Sequence, residues 1–302
     1  MRKVLLLLFI VLQVVVLYGI FQTSRDFSLV QGFNLPYMWG WNWNERDLNS
    51  PYYREDLEQS FASAEKIRLD NFVGNIKVEY ADVNEITFKG EKVLLNRVDR
   101  SMLVNSYIDE KRYGDEVVIT WKKPSSFKGT TGFNGTVIIP KNLQSLTLDV
   151  SMGKVTVKDG VGNLKITANL GEVNVEDHQG SLIVDANLGA VKLYNITPKE
   201  RLSISADLGE VIYSGRLATE SSIKASLGSV RITLPADTCV NIDAEVDLGS
   251  LDSDFTISSI FGSSRQGLGH KIRGVLGTGT PTGNLEVRAD LGSVDIKKVV
   301  AW

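Results

Sequence analysis

Glu172 and Glu210 each follow a glycine directly, and Asp207, Asp247 and Asp290 each precede one by two residues. Carboxylates repeated at fixed places line up when the units that carry them stack. Two carboxyl groups about 5 Å, or about 6.5–9.5 Å, apart are what sugar hydrolysis uses. An enzyme of that kind, acting on polysaccharide, also needs a basic partner in the groove, for which Arg231, Lys224 and Arg288 are the candidates. The pattern is irregular, however. Asn169, Asn187 and Ser226 replace acid at the first position, and Lys154, Ala190 and Ser229 at the second. Such a series reads as a solvated turn face, so the expectation is a chain without catalytic residues, with the polysaccharide-active enzyme as the alternative.

Other chemistry is sparse. The 302 residues include two histidines, His178 and His270, too few for a multi-histidine metal site and awkward for a Ser-His-Asp arrangement. No Gly-x-x-x-x-Gly-Lys-Ser/Thr phosphate loop occurs, nor the calcium-binding glycine-aspartate nonapeptide, and no cofactor or metal is expected. The single cysteine, Cys239, has no intramolecular disulfide partner and reads as a small, partly buried filler beside Val240. A net charge of -3 and a pI near 5.6 give no case for nucleic acid, whose backbone calls for a positive surface.

The elements that must position these residues belong to a repeat. LTLDVSMGKVTV at 146–157 is followed by LKITANLGEVNV at 164–175, LIVDANLGAVKL at 182–193 and LSISADLGEVIY at 202–213, then by SIKASLGSVRI, NIDAEVDLGSL and LEVRADLGSVDI. The aligned glycines are Gly153, Gly171, Gly189, Gly209, Gly228, Gly249 and Gly292, at intervals of 18, 18, 20, 19, 21 and 43 residues. Apolar residues first alternate, as in Leu164, Ile166, Ala168 and Leu170, and resume after the glycine at Val173 and Val175, with the parity shifted by one. A bend or bulge must lie between, and glycine is the residue suited to it. Each unit is too short to bury its inner face alone, and stacking covers that face with the next unit. The fold expected is therefore all-β: a single-chain β-solenoid (β-helix) of roughly 18–21-residue coils with the seven glycines as structural corners. An antiparallel sandwich or curved meander of short strands is the competing architecture.

Ahead of the repeat, Met1-Arg2-Lys3 precedes an apolar stretch, 4–21, interrupted only by Gln13 and Gly19. It is longer than the usual export-signal core, lacks a small-x-small cleavage site, and at about 1.5 Å per residue matches the hydrocarbon layer. The expectation is an uncleaved signal-anchor, a transmembrane helix within 1–24, with the cytoplasmic membrane as partner through 4–21 and the C-terminal domain outside the cytoplasm of a bacterial cell, single-pass. Residues 25–60, with Trp39, Trp41, Trp43, Tyr52 and Tyr53, form an aromatic-rich juxtamembrane linker or a cap on the first coil, a sugar pocket being a third reading. The repeat domain is assigned 61–302, its first part diverged, with a Gly/Ser-rich insertion at 258–283. Phe261, Arg265, His270, Lys271 and Arg273 in that insertion form a possible contact loop, since loops on rigid scaffolds are the usual binding sites.

From about Gly135 to Asp295, Thr136-Val137-Ile138-Ile139-Pro140 leads into repeated Gly-x-Leu-x-Val/Ile and Leu-Gly-x-Val units. This tract resembles the bacterial adhesin-like or β-strand-repeat family of uncharacterised, often membrane-anchored cell-envelope proteins. The resemblance covers a little over half the chain and implies a membrane-anchored, extracytoplasmic scaffold or interaction module with an envelope protein or glycan as ligand. It supplies no catalytic residue.

Overall fold

Alternation becomes burial where the pattern is clearest. Leu164, Ile166 and Ala168 face inward and are buried, as are Val173 and Val175 beyond the parity shift. Each large aliphatic side chain so removed from water contributes about 1.5–3 kcal/mol. The same positions in other units pair directly across parallel strands: Leu146 with Leu164, Leu164 with Leu182, and Leu182 with Leu202. After the glycine, Val155, Val173, Val191 and Val211 form a second column. The computed structural model describes residues 48–96, 100–125, 129–261 and 269–299, all within the second of the two units into which the chain divides, Asn44–Trp302.

The elements follow in chain order. β1 (Tyr53–Ala62), β2 (Lys66–Val73), β3 (Ile76–Ala81) and β4 (Glu85–Leu94) precede a single helical turn, α1 (Ser101–Val104). Next come β5 (Tyr107–Tyr113), β6 (Glu116–Lys122), β7 (Thr131–Pro140), β8 (Ser145–Lys158) and β9 (Asn163–Glu176). β10 (Leu182–Leu188), β11 (Val191–Ile196), β12 (Arg201–Leu208), β13 (Val211–Gly215) and β14 (Glu220–Pro235) continue the repeat. The last elements are β15 (Val240–Ser253), β16 (Ile257–Phe261), β17 (His270–Leu276) and β18 (Asn284–Val299).

Two architectural expectations are corrected here. The chain does not form a β-solenoid of uniform coils. β9 and β14 run unbroken through Gly171 and Gly228, whereas the units between them break at Gly189 and Gly209 into β10/β11 and β12/β13. β9 and β14 therefore each pair with strands of both arms, and the circuit β9–β10–β12–β14–β13–β11–β9 closes as a six-strand parallel barrel. Peripheral strands surround it. β18 enters between β14 and β15, out of chain order, and antiparallel pairs flank both ends: β1 with β4, β4 with β7, β5 with β6, and β17 with β15 and β16.

The second correction concerns the membrane. Among the described residues no helix is long and apolar enough to cross one, α1 being a single turn. The expected transmembrane signal-anchor over 4–21 lies outside the described residues. The membrane-anchored function, the membrane partner and the single-pass extracytoplasmic location that rested on that helix are not supported, and none is carried further.

Two glycines show why the columns hold their register. Gly171 has φ +144°, and a Cβ there would lie 1.7 Å from the carbonyl oxygen of Gly153. At Gly189, φ +142°, a Cβ would lie 1.5 Å from the carbonyl oxygen of Gly171. Backbones one strand apart approach so closely only where neither carries a side chain. In the part of the core contributed by β2, β4 and β7, Phe72 stacks on Phe88 with centroids 5.7 Å apart, and Phe133 meets Phe88 edge-on at 5.6 Å.

Candidate functional site

Among the described residues, the insertion expected to be a contact loop contributes two strands. Phe261 ends β16, and His270, Lys271 and Arg273 lie in β17, while Arg265 lies outside the described residues. β17 pairs with β15 so that Lys271 falls opposite Glu245 and Arg273 opposite Asp243. β15 in turn sets Glu245 opposite Arg288 and Asp243 opposite Glu286 of β18, and β18 sets Arg288 opposite Lys224 and Glu286 opposite Ser222 of β14. Strand alternation places these residues on the one outer face of four neighbouring strands. The result is a charged ladder that joins two of the expected contact residues, Lys271 and Arg273, to two of the expected basic partners, Lys224 and Arg288.

Its contacts are closely matched. Arg273 bonds Asp243 at 2.8 Å, Lys271 bonds Glu245 at 2.7 Å, and Lys224 reaches Glu286 at 3.0 Å. Arg288 bridges both glutamates, donating through Nε to Glu286 at 2.9 Å and through a terminal nitrogen to Glu245. Ser222 adds a hydroxyl donor to Glu286 at 3.1 Å. Arg288 and then Lys224 hold the Glu286 carboxyl down to about 2, and Lys271 and then Arg288 hold Glu245 below its usual range. The pairs are partly exposed, so each stabilises by no more than about 1 kcal/mol.

A pH prediction follows from Glu286. Its folded-state value, about 2, lies below the unfolded 4.5, so its contribution is fully present above 4.5 and is lost as pH falls from there toward 2. Thermal melts of the wild type and of Glu286→Gln should run parallel from neutral pH down to 4.5 and then converge, because the variant has no carboxylate to protonate. Constant separation of the two curves down to pH 2 would contradict the assigned shift.

Two of the expected turn carboxylates are also ion-paired. Glu172 accepts from Lys192 at 3.2 Å and pairs with Lys154 at 3.4 Å, and Glu210 lies 3.6 Å from Arg231. Asp207, Asp247 and Asp290 are exposed on β12, β15 and β18. A shallow polar depression of about 420 Å³ is lined by residues including Asp252, Asp254, Ser293, Asp295 and Lys297. There Lys297 neutralises Asp295 at 3.0 Å and Asp254 at 3.7 Å. Among the described residues no group of three or more His, Cys, Asp or Glu side chains could hold a metal. His178 is fully buried, and burial depresses its pKa. Cys239 is buried and unpaired.

One carboxylate behaves differently and was not singled out in the sequence. Asp149 is pushed above its usual range, first by burial and then by the neighbouring charge of Asp70, with Arg68 opposing. Nothing in its one-dimensional setting, between Leu148 and Val150, distinguishes it from other outward positions. It acquires its surroundings only when β8 pairs with β2, placing Leu148 opposite Leu69 and hence Asp149 near Asp70.

No family model matches the chain, and no curated protein matches it. Solved structures do resemble it. One is a candidate cell adhesion protein from Clostridium sporogenes, 16% identical, covering 81% of this chain and 100% of that one, with TM-score 0.34. A candidate adhesin from Bacteroides fragilis is 11% identical over 81% of this chain and 97% of that one, with TM-score 0.36. A candidate adhesin from Parabacteroides merdae is 13% identical over 82% and 95%, with TM-score 0.27. All three likenesses are distant. They are too slight to assign a family or a function, so the charges and packing of this chain must supply the functional reading.

Proposed function

We propose that the chain is a non-enzymatic, adhesin-like interaction module, a β-platform that presents ordered side-chain ladders to a binding partner. The observation that supports this is the state of the charged ladder. Glu245 and Glu286 share Arg288, and cations hold both below the usual range. A general acid needs the opposite shift, a carboxyl kept protonated near neutral pH. The ladder is suited to binding by exchange of charged and hydrogen-bonding partners on an open face. The corner glycines serve the same end by fixing the rung spacing.

The test is a screen of the full chain against immobilised glycans and envelope extracts, run beside an assay for reducing ends released from the same polysaccharides. Retention without turnover is expected. Release of reducing ends that Glu172→Gln together with Glu210→Gln abolishes would establish the polysaccharide-active alternative, which rests on those turn carboxylates.

A further inference from the structure

The repeat leaves an aliphatic stripe on the outside of the molecule. Leu170, Leu188, Leu208, Leu227, Leu291 and Leu248 are paired rung to rung just before their glycines. None of them packs against the main core; Leu208 and Leu248 are 38% and 43% exposed, and the other four are half-buried. With neighbouring strands about 4.8 Å apart, the six leucines extend over about 24 Å. Contiguous apolar surface of this kind marks a contact site more often than it marks chance.

The column does not begin at Leu170. Met152 pairs with Leu170, and Val73 pairs with Met152. These first two members are already covered, by Leu48, Val93 and Leu95, in a small apolar cluster separate from the main core. The cover is pinned by polar contacts, Asn134 donating to the Leu48 carbonyl at 2.6 Å and Asn75 to the Asn49 side chain at 3.1 Å. Part of the stripe therefore already seats aliphatic side chains, and the rest continues that surface.

Spacing and charge define the occupant. Rungs about 4.8 Å apart are close to the 5.4 Å pitch of an α-helix, whose i, i+3/i+4 positions recur once per turn, and far from the roughly 6.8 Å between same-face residues of a strand. Beside the leucines, Asp207, Asp290 and Asp247 are exposed, and among the described residues none has an ion-pair partner. This acidic rail favours lysine and arginine and repels an anionic lipid surface. A second copy laid stripe to stripe would meet only a single column of leucines about 24 Å long, too narrow for the ~800 Å² per partner of a stable dimer interface.

From these features, and resting on the reading of the chain as an interaction module, we infer that the leucine stripe docks a basic amphipathic helix of a partner protein, its aliphatic face on the stripe and its cationic flank on the aspartates. The probe is a labelled model helix of about 18 residues, about 27 Å long, with leucine at i, i+3/i+4 positions and lysine beside them. Its counterpart carries glutamate in place of lysine. Titrated with the full chain, the lysine peptide should bind saturably and the glutamate peptide at least about tenfold more weakly. Leu208→Gln and Leu248→Gln should each weaken the lysine peptide by about tenfold, and Asp247→Asn with Asp290→Asn by about threefold, while Val104→Gln, an exposed apolar change elsewhere, leaves it unaltered. Circular dichroism melts of the variants matching wild type would show that the fold is kept.

Binding indifferent to the leucine substitutions, or equal for the two peptides, would overturn the inference. So would uptake onto anionic vesicles in preference to the peptide, or a concentration-dependent dimer dissolved by Leu208→Gln. Retention on the glycan and extract screen with no stripe binding would remove this inference alone, whereas polysaccharide turnover would remove the functional reading beneath it.

Discussion

Gly171→Val should destabilise the protein by about 3–5 kcal/mol, a large part of the 5–15 kcal/mol that holds a typical domain folded. Two costs add. A β-branched residue at φ +144° is strained by about 1–3 kcal/mol, and its Cβ would lie 1.7 Å from the Gly153 carbonyl oxygen, so the backbone of one strand or the other must move. Two comparisons separate these costs. Gly114→Ala places a Cβ at φ +62° with nothing within 4 Å, so only the conformational part, about 1 kcal/mol, should appear. Lys165→Val, exposed in the same strand, should stay within about 0.5 kcal/mol of wild type. Because β8 at Gly153 and the break between β10 and β11 at Gly189 share the contact, hydrogen exchange should also quicken there. Wild-type stability of Gly171→Val in chemical denaturation, with unchanged exchange on both sides, would mean the aligned glycines do not set the rung spacing.

The columns were legible because alternation and glycine register are local properties. Leu164, Ile166 and Ala168 have the period of a half-buried strand, and the recurrence of their equivalents matches the pairing found. Strand order was not legible. Leu227-Gly228-Ser229-Val230 and Leu291-Gly292-Ser293-Val294 are identical, and these two segments are neighbours, although a whole unit lies between them in the chain. Identical edges make several stacking orders locally equivalent, and the choice falls to the antiparallel β16/β17 excursion, which occupies the outer side of β15 while β18 takes the inner.

Leu170 was misplaced for a related reason. Its parity continues that of Ala168, which suggests burial. In the structure Ala168 pairs with Ala186 and Leu170 with Leu188, while Asn169 and Asn187 fall out of the backbone register and bond through their side chains at 3.0 Å. The parity shift can lie anywhere in the four residues between Ala168 and Val173, and alternation alone does not locate it. Its actual place turns the leucines out of the core. The charged ladder was half legible: Lys271, Arg273, Lys224 and Arg288 were candidates, but Glu245, Glu286 and Asp243 acquired significance only when β15, β17 and β18 met.

Tyr213→Ala should cost about 3–5 kcal/mol, as for other large side chains cut back in a packed core. Tyr213 is fully buried, and it occupies a column in which Leu193 precedes it and Ile232 follows. A phenol there needs more room than either neighbour and must satisfy a hydroxyl. The hydroxyl donates to the carbonyl of Arg216, and burial pushes its pKa far up, so it remains a donor through the accessible pH range. That bond ties the inward column to the turn after β13, where Arg216 N–H also bonds the Ile196 carbonyl at 2.8 Å and a Cβ on Gly215 would lie 2.2 Å from the same oxygen. Tyr213→Phe keeps the ring and loses only the tie, and should cost about 1 kcal/mol, with faster exchange confined to the turn around Arg216. Packing and tie are thus separable by comparing the two variants in denaturant. If Tyr213→Phe costs as much as Tyr213→Ala, the hydroxyl bond and not the filled volume would be what holds this end of the barrel.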